Sequence, residues 1–234
     1  MDRKELIRIR INLIKRDFSP DCSPVLIAVS KKQPVSDIQF AYDAGIRDFG
    51  ENRVEELLEK AKELQSLNDI RWHFIGNIQS KKIKKLLRVE NLFAIHSIDS
   101  FDTLQKVMAK EEDLLKKNIR LFLQVNTSRE KEKGGFEDWD KLAAAVNLLA
   151  KKTESFSLAG LMTMSKLRTN NFEEDAKKCF IQLTKIKKRV ETDFDLKNLK
   201  LSMGMSRDYL TALEIGTDYI RLGSSLFAEE KRGR

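Results

Sequence analysis

The sequence has 234 residues, 41% hydrophobic and 34% charged, with 44 basic against 36 acidic side chains for a net charge of +8. That balance supplies a core and excludes disorder, and ten glycines with three prolines exclude a collagen-like or linker-like chain. No apolar run approaches the ~18 residues of a membrane span, and the charged N-terminus has no secretory cleavage site.

Residues 2–17 alternate over Ile7-Arg8-Ile9-Arg10-Ile11 like a strand, yet Leu6, Ile9, Leu13 and Ile7, Ile11, Ile14 also fall at spacings of three and four. The longer window predicts a helix, ended by Phe18-Ser19-Pro20. Val25 to Ser30 is a nearly continuous apolar run, as in a strand buried on both faces. Pro34 to Ala44 reads as a helix closed by Gly45, and Asp48 to Asn52 as a weak strand. Val54 to Leu67 is helical, with Val54, Leu57, Leu58, Ala61 and Leu64 on one stripe. Then come a strand from Arg71 to Gly76, a lysine-rich helix from Gln79 to Leu87, and a strand from Leu92 to Ile98. Ser100 caps a helix running to Lys117.

The rhythm continues with a strand from Arg120 to Asn126, a long loop, and a helix from Asp138 to Lys151. Phe156 to Met162 is a strand, and Phe172 to Val190 a helix. Leu199 to Met203 is a strand, Ser206 to Ile215 a short helix ended by Gly216, and Tyr219 to Gly223 a strand before a short tail. Strict alternation predicts a parallel sheet. Eight such units fit a compact (β/α)8 TIM barrel with one extra N-terminal helix, and residues 1–234 read as one domain. An open doubly wound sheet would want a Gly-rich turn after the first strand, which Ser30-Lys31-Lys32-Gln33-Pro34 does not offer.

In such a barrel, function sits at the C-terminal ends of the strands. Ser202-Met203-Gly204-Met205-Ser206 and Gly223-Ser224-Ser225 follow the last two strands, where barrels of this kind hold phosphate. Glycine lets backbone N–H groups approach an anion and serine hydroxyls donate to it; capping serines and ordinary turns would look the same. Lys31 ends the first strand and is either a surface lysine beside Lys32 or an amine poised for a Schiff base. Arg221 precedes Gly223 by two residues and shares its face, so it meets a salt-bridge partner or a ligand lone pair. A phosphate seat, a reactive lysine and an arginine together suit pyridoxal 5′-phosphate (PLP), which needs an amine for its aldehyde, an anion site and a partner for its ring nitrogen.

The motifs also carry a resemblance. Ala28-Val29-Ser30-Lys31, Phe49-Gly50-Glu51-Asn52, Trp72-His73-Phe74-Ile75-Gly76 with Gln79-Ser80, and His96-Ser97-Ile98-Asp99 run in order through the first half. Gln124-Val125-Asn126 with Lys133-Gly134-Gly135-Phe136, Gly160-Leu161-Met162, Leu201-Ser202-Met203-Gly204-Met205-Ser206 with Asp208, and Ile220-Arg221-Leu222-Gly223 complete the set. Together they resemble the PLP homeostasis protein family, single-barrel relatives of the alanine racemase N-terminal domain. The resemblance implies that Lys31 carries PLP as a Schiff base and that Ser202, Gly204, Ser206, Gly223 and Ser224 surround the phosphate. It implies further that Arg221 faces the pyridine nitrogen and that Asn52 lines the pocket. Arg53, Asn77-Ile78, Thr163-Met164-Ser165 and Ser224 depart from the family's usual residues, and bear on the pocket rim more than on the cofactor.

Racemisation needs a proton-handling group on each face of the substrate carbanion. Lys31 serves one face, but Tyr42 and Tyr209 fall on predicted helices and Tyr219 opens the last strand at the wrong end. An arginine at the ring nitrogen also weakens the electron sink. The expected function is therefore intracellular PLP homeostasis and amino-acid balance without strong turnover, with no catalytic residue assigned. The alternative is a slow, broad-specificity amino-acid racemase. A phosphosugar isomerase would leave Lys31 idle, and nucleic-acid binding would rest only on Lys81–Lys85 and Lys185–Arg189, lysine faces without an aromatic ladder. PLP and PLP-dependent apo-enzymes are the expected partners, with no nucleic acid and no membrane, for a monomer. Cys22 and Cys179 make no disulfide framework and point to the cytoplasm. His73 and His96 lack further ligands at metal spacing and read as hydrogen-bonded pocket or core histidines, so no metal is expected. Lys133-Gly134-Gly135 reads either as a loop over the mouth or as a plain turn.

Overall fold

Eight short parallel strands pair in sequence order and close on themselves, β8 returning to β1. They are β1 (Val25–Val29), β2 (Asp48–Glu51), β3 (Arg71–Phe74), β4 (Leu92–Ile98), β5 (Ile119–Gln124), β6 (Phe156–Met162), β7 (Lys200–Met205) and β8 (Tyr219–Leu222). The computed structural model describes residues 1–111, 118–130, 132–151, 154–166 and 169–229. Between the strands lie α2 (Val35–Asp43), α3 (Val54–Glu63), α4 (Ile83–Leu87), α5 (Phe101–Met108), α6 (Trp139–Ala150), α7 (Phe172–Asp193) and α8 (Tyr209–Ile215); α1 (Arg3–Arg16) precedes the ring. This is the (β/α)8 barrel with an added N-terminal helix that the alternation predicts. Among the described residues no helix is long and apolar enough to cross a membrane.

Local chemistry accounts for the helix ends. Asp2, Ser100 and Asp138 each accept a backbone N–H from the first turn of the helix they precede. In α1 the helical stripe prevails over the local alternation, because Ile7, Ile11 and Ile14 are the buried positions. The structure differs from the sequence reading in several details. The lysine-rich segment splits into a 3-10 turn, Ser80–Lys82, and the short α4. The segment before α8 is a turn, in which Asp208 Oδ1 accepts from the Met205 N–H at 2.6 Å, so the helix starts at Tyr209 and not at Ser206. α5 ends at Met108, and residues 112–117 of the expected longer helix lie outside the described part. A further short helix, α9 (Ser224–Phe227), follows β8.

Two layers of side chains result. Leu26, Ala28, Phe49, Trp72, Ile95, Leu121 and Leu201 belong to the large core between strands and helices. Ile27, Ala94, Phe122, Met162 and Tyr219 form a separate cluster. Phe122 on β5 and Tyr219 on β8 meet edge to face at 5.4 Å although their strands are not neighbours, so this second cluster fills the lumen. Strand alternation then sends Ile27 and Val29 to the lumen side and Leu26 and Ala28 outward.

Candidate functional site

The backbone just before Lys31 is held from behind. Ser30 is buried on the helix side, where its hydroxyl donates to Glu51 Oε1 at 2.8 Å. The buried Lys60 ammonium, from α3, reaches the Ser30 carbonyl at 2.8 Å and Glu51 Oε1 at 2.7 Å. Burial pushes the Glu51 carboxyl up, against the pull of Lys60 and Ser30. Its second oxygen, Oε2, is buried without a partner among the described residues. With the strand end fixed this way, Lys31 emerges exposed at the C-terminal mouth, in a cavity it shares with Val29, Asn52, Gly223 and Ser224.

Asn52 is placed by a close approach of two chains. A Cβ at Gly76 would lie 2.0 Å from the Asn52 carbonyl oxygen, so only glycine lets the end of β3 pass the end of β2 here. The Gly76 carbonyl is gripped in turn by the Ser97 hydroxyl at 2.6 Å.

On the other side of the mouth, Ser206 Oγ accepts from the backbone N–H groups of Gly223 at 3.3 Å and Ser225 at 3.2 Å. This ties the end of β7 to the start of α9 and sets the serines beside the cavity. Gly204 serves packing: its φ is +96°, and a Cβ there would meet Ala212 of α8 at 2.8 Å. Ser202 lies in the lumen beneath, its hydroxyl taken by Arg221 and His96. Lys31, Asn52, Gly223 and Ser224 are thus gathered in one cavity with Ser206 adjoining, whereas Ser202 and Gly204 lie apart from it.

Arg221 is fully inside. Its guanidinium donates from Nη1 to Ser202 Oγ at 2.7 Å and from Nη2 to the Thr163 carbonyl at 2.9 Å. Burial brings its pKa down to about 10, against the opposing attraction of Asp208. Among the described residues no carboxylate forms an ion pair with it. A buried cation with only neutral acceptors has room in its chemistry for another lone pair.

The lumen holds a line of polar side chains below Arg221. Ser202 Oγ is 2.9 Å from His96 Nδ1; His96 Nε2 is 2.9 Å from His73 Nδ1; His73 Nε2 is 2.8 Å from Asp48 Oδ1. Asp48 opens β2 at the opposite mouth and also receives two hydrogen bonds from Arg71. Burial pushes both imidazoles down, His96 the further, with the nearby His73 and the Arg221 cation adding to the effect. Burial works to raise the Asp48 carboxyl, but hydrogen bonds from His73 and Arg71 outweigh it and hold the group below its usual range.

Sequence reasoning treated the histidines one at a time and did not connect them to Ser202 and Arg221. Nor did it include Asp48, Thr163 or the Glu51–Lys60 pair. Lys60 left a signal, since it interrupts the apolar stripe between Leu57 and Ala61. The Lys133-Gly134-Gly135 segment is strapped to β5. Phe136 N–H donates to the Gln124 carbonyl at 2.8 Å and Asn126 N–H to the Phe136 carbonyl at 3.0 Å. Gly135, at φ +138°, has no room for a Cβ against Asn126.

The sequence matches the alanine racemase, N-terminal domain family over residues 5–231. It is 37% identical over 206 residues to the pyridoxal phosphate homeostasis protein of Schizosaccharomyces pombe, covering 87% of this chain and 83% of that protein. It is 33% identical over 216 residues to the human protein of the same name, covering 90% of this chain and 78% of that one. The structure of PipY from Synechococcus elongatus with PLP bound superposes with a TM-score of 0.83 at 32% identity, covering 95% of this chain and all of PipY. Alanine racemase from E. faecalis, at 14% identity and a TM-score of 0.71, covers 99% of this chain and 59% of its own and shares the fold.

Proposed function

The chain belongs to the alanine racemase N-terminal domain family, and from that premise we propose that it binds PLP and serves in PLP homeostasis rather than in rapid turnover. The observation that carries the reading is the single cavity in which Lys31 faces Asn52, Gly223 and Ser224, with the buried Arg221 of β8 two residues before Gly223.

These residues fit the cofactor by their chemistry. Lys31 supplies the amine for the aldehyde, held at a strand end that Glu51 and Lys60 keep in place. The Ser206 and Ser224 hydroxyls would donate to the phosphate beside Gly223, and Asn52 would line the pocket. Arg221 only donates, so it suits a ring nitrogen that keeps its lone pair. PLP supplies an aldehyde that condenses with amines and, where its ring is protonated, an electron sink. Arg221 favours the unprotonated ring, which leaves the aldehyde chemistry and weakens the sink.

None of the three tyrosines lines this cavity. Tyr42 bonds Asp69, Tyr209 bonds Asp17, and Tyr219 packs in the lumen against Phe122 and His96. Lys31 is exposed, which keeps a bound aldehyde within reach of an incoming amine. That supports a carrier able to give PLP up to apo-enzymes. We read residues 1–234 as one cofactor-binding domain acting as a monomer, and the two free cysteines favour a reducing cytoplasm.

The test is an absorbance spectrum of the protein incubated with PLP, followed by borohydride reduction and peptide mass mapping. A yellow protein with a pyridoxyl group on Lys31 is the expected result. A colourless protein with no adduct overturns the reading.

A further inference from the structure

The lumen chain has one allowed direction. Asp48, ionised, only accepts, so His73 Nε2 carries a proton and donates to it. His73 is neutral, which leaves Nδ1 as an acceptor; its partner His96 Nε2 must then donate. His96 is neutral as well, so its Nδ1 accepts, and the donor is the Ser202 hydroxyl. Ser202 Oγ has spent its proton and offers lone pairs, one of which takes the Arg221 Nη1–H. Every proton in the series points from the Lys31 end of the barrel toward Asp48.

The charged groups around the chain agree with that direction. His73 faces Asp48 of β2, Arg71 of its own strand and Arg120 of β5; His96 faces His73 and Arg221; Arg221 faces Asp208. Burial and the cations Arg71, Arg120 and Arg221 discourage a protonated imidazole in the middle, and outweigh the pull of the Asp48 carboxylate on His73. The stack of His96 on Phe122, with centroids 4.2 Å apart and planes 8° apart, fixes the plane of the central ring.

We propose that Asp48, His73, His96 and Ser202 form a positioning relay of single polarity that holds Arg221 as a donor toward the cofactor's ring nitrogen from the opposite mouth of the barrel. The inference rests on the PLP reading for what Arg221 faces, but the polarity of the chain does not. Ser202 is kept an acceptor because His96 takes its proton. Without His96 the hydroxyl is free to rotate, and one guanidinium N–H is left to compete for the lumen. His73, His96, Ser202 and Asp48 act through Arg221 and touch no reacting atom.

Two measurements test this. Nitrogen-15 NMR of the imidazoles in the cofactor-free protein is expected to show both rings neutral with the proton on Nε2, throughout the pH range in which the protein is folded near neutrality. A proton on Nδ1 of either ring, or a cationic ring near neutral pH, overturns the proposal whether or not PLP binds. The second measurement compares His96→Gln with His96→Leu. Glutamine keeps an acceptor for Ser202 and a donor for His73, whereas leucine fills the space with neither. His96→Leu is expected to weaken PLP binding by about tenfold, the scale of one unsatisfied buried polar group, and to move the absorbance maximum of the bound cofactor. His96→Gln is expected to recover most of both. Equal behaviour of the two variants overturns the relay and leaves His96 a space-filling residue. Should either variant fail to fold, the NMR measurement on the unaltered protein decides alone. Absence of PLP binding in the unaltered protein, with both tautomers as expected, sinks the cofactor reading and spares the polarity.

Discussion

His73 Nδ1 and His96 Nε2 lie 2.9 Å apart with both rings fully buried, so neither can ionise without setting a cation against its neighbour. In the unfolded chain each histidine takes up a proton near pH ~6.5, while burial holds both folded values lower. The folded state therefore binds fewer protons below that pH. Stability is unaffected by the pair above ~6.5 and declines as the pH falls beneath it, by at most about 1.4 kcal/mol per pH unit for each ring. Urea midpoints measured from pH ~8 to ~5 should show this decline, and His96→Gln should make it shallower. A flat profile in the unaltered protein would contradict it.

Lys31→Ala should abolish the borohydride-stable pyridoxyl adduct and leave the fold alone. Its side chain is exposed, and the strand end is held by Ser30, Glu51 and Lys60 instead. The expected change in unfolding free energy is within about 0.5 kcal/mol. Mass mapping and a denaturant titration read the two halves separately.

The Glu51–Lys60 pair should be strongly non-additive. Lys60→Met leaves a buried carboxylate with its attraction removed, which costs about 3–5 kcal/mol when such a group stays charged. Burial already raises Glu51, so in the variant it takes up a proton more readily and lessens the loss. Glu51→Gln combined with Lys60→Met should therefore cost less than the sum of the single changes in a double-mutant cycle. Additive values would show that the two side chains act independently.

Gly76→Ala should weaken PLP binding without removing any polar group. The new methyl would sit against the Asn52 backbone, which must shift to relieve it. Overpacking of this kind costs about 1–3 kcal/mol. PLP titration of the purified variant, beside its thermal midpoint, measures how much of the displacement reaches the pocket.

The barrel was legible because each strand is a short apolar run closed by polar residues, and each helix carries a stripe. Lys31, Asn52, Gly223 and Ser224 were legible for a related reason: strand ends converge on one mouth in a closed parallel ring, so position along each strand is enough. The lumen chain was hidden because it joins β2, β3, β4, β7 and β8, and which of their inward side chains meet depends on the register between strands, not on the sequence around any one of them. β3 and β4 slip between Trp72 and His73, and β7 and β8 slip between Ser202 and Met205. Such slips change which residues of neighbouring strands stand opposite one another. Ser202, whose serine type and place near a strand end suggested phosphate, points inward to Arg221 by plain alternation between Leu201 and Met203 of the outer core. Lys60 was readable in principle from its place on an apolar stripe.

Arg3 and Arg10 of α1 donate to the carbonyls of Leu226, Phe227 and Ala228, at the end of the helix that begins with Ser224. β1 in turn closes the ring by pairing with β8. Two segments far apart in sequence therefore complete the Lys31 cavity together. A nascent chain already carries Lys31 but has neither Ser224 nor the strand that Lys31's own strand pairs with, so the cavity is assembled only after translation has passed Ala228. Arg3 and Arg10 of the first helix thus have no acceptor at that place until residues 226–228 have been made.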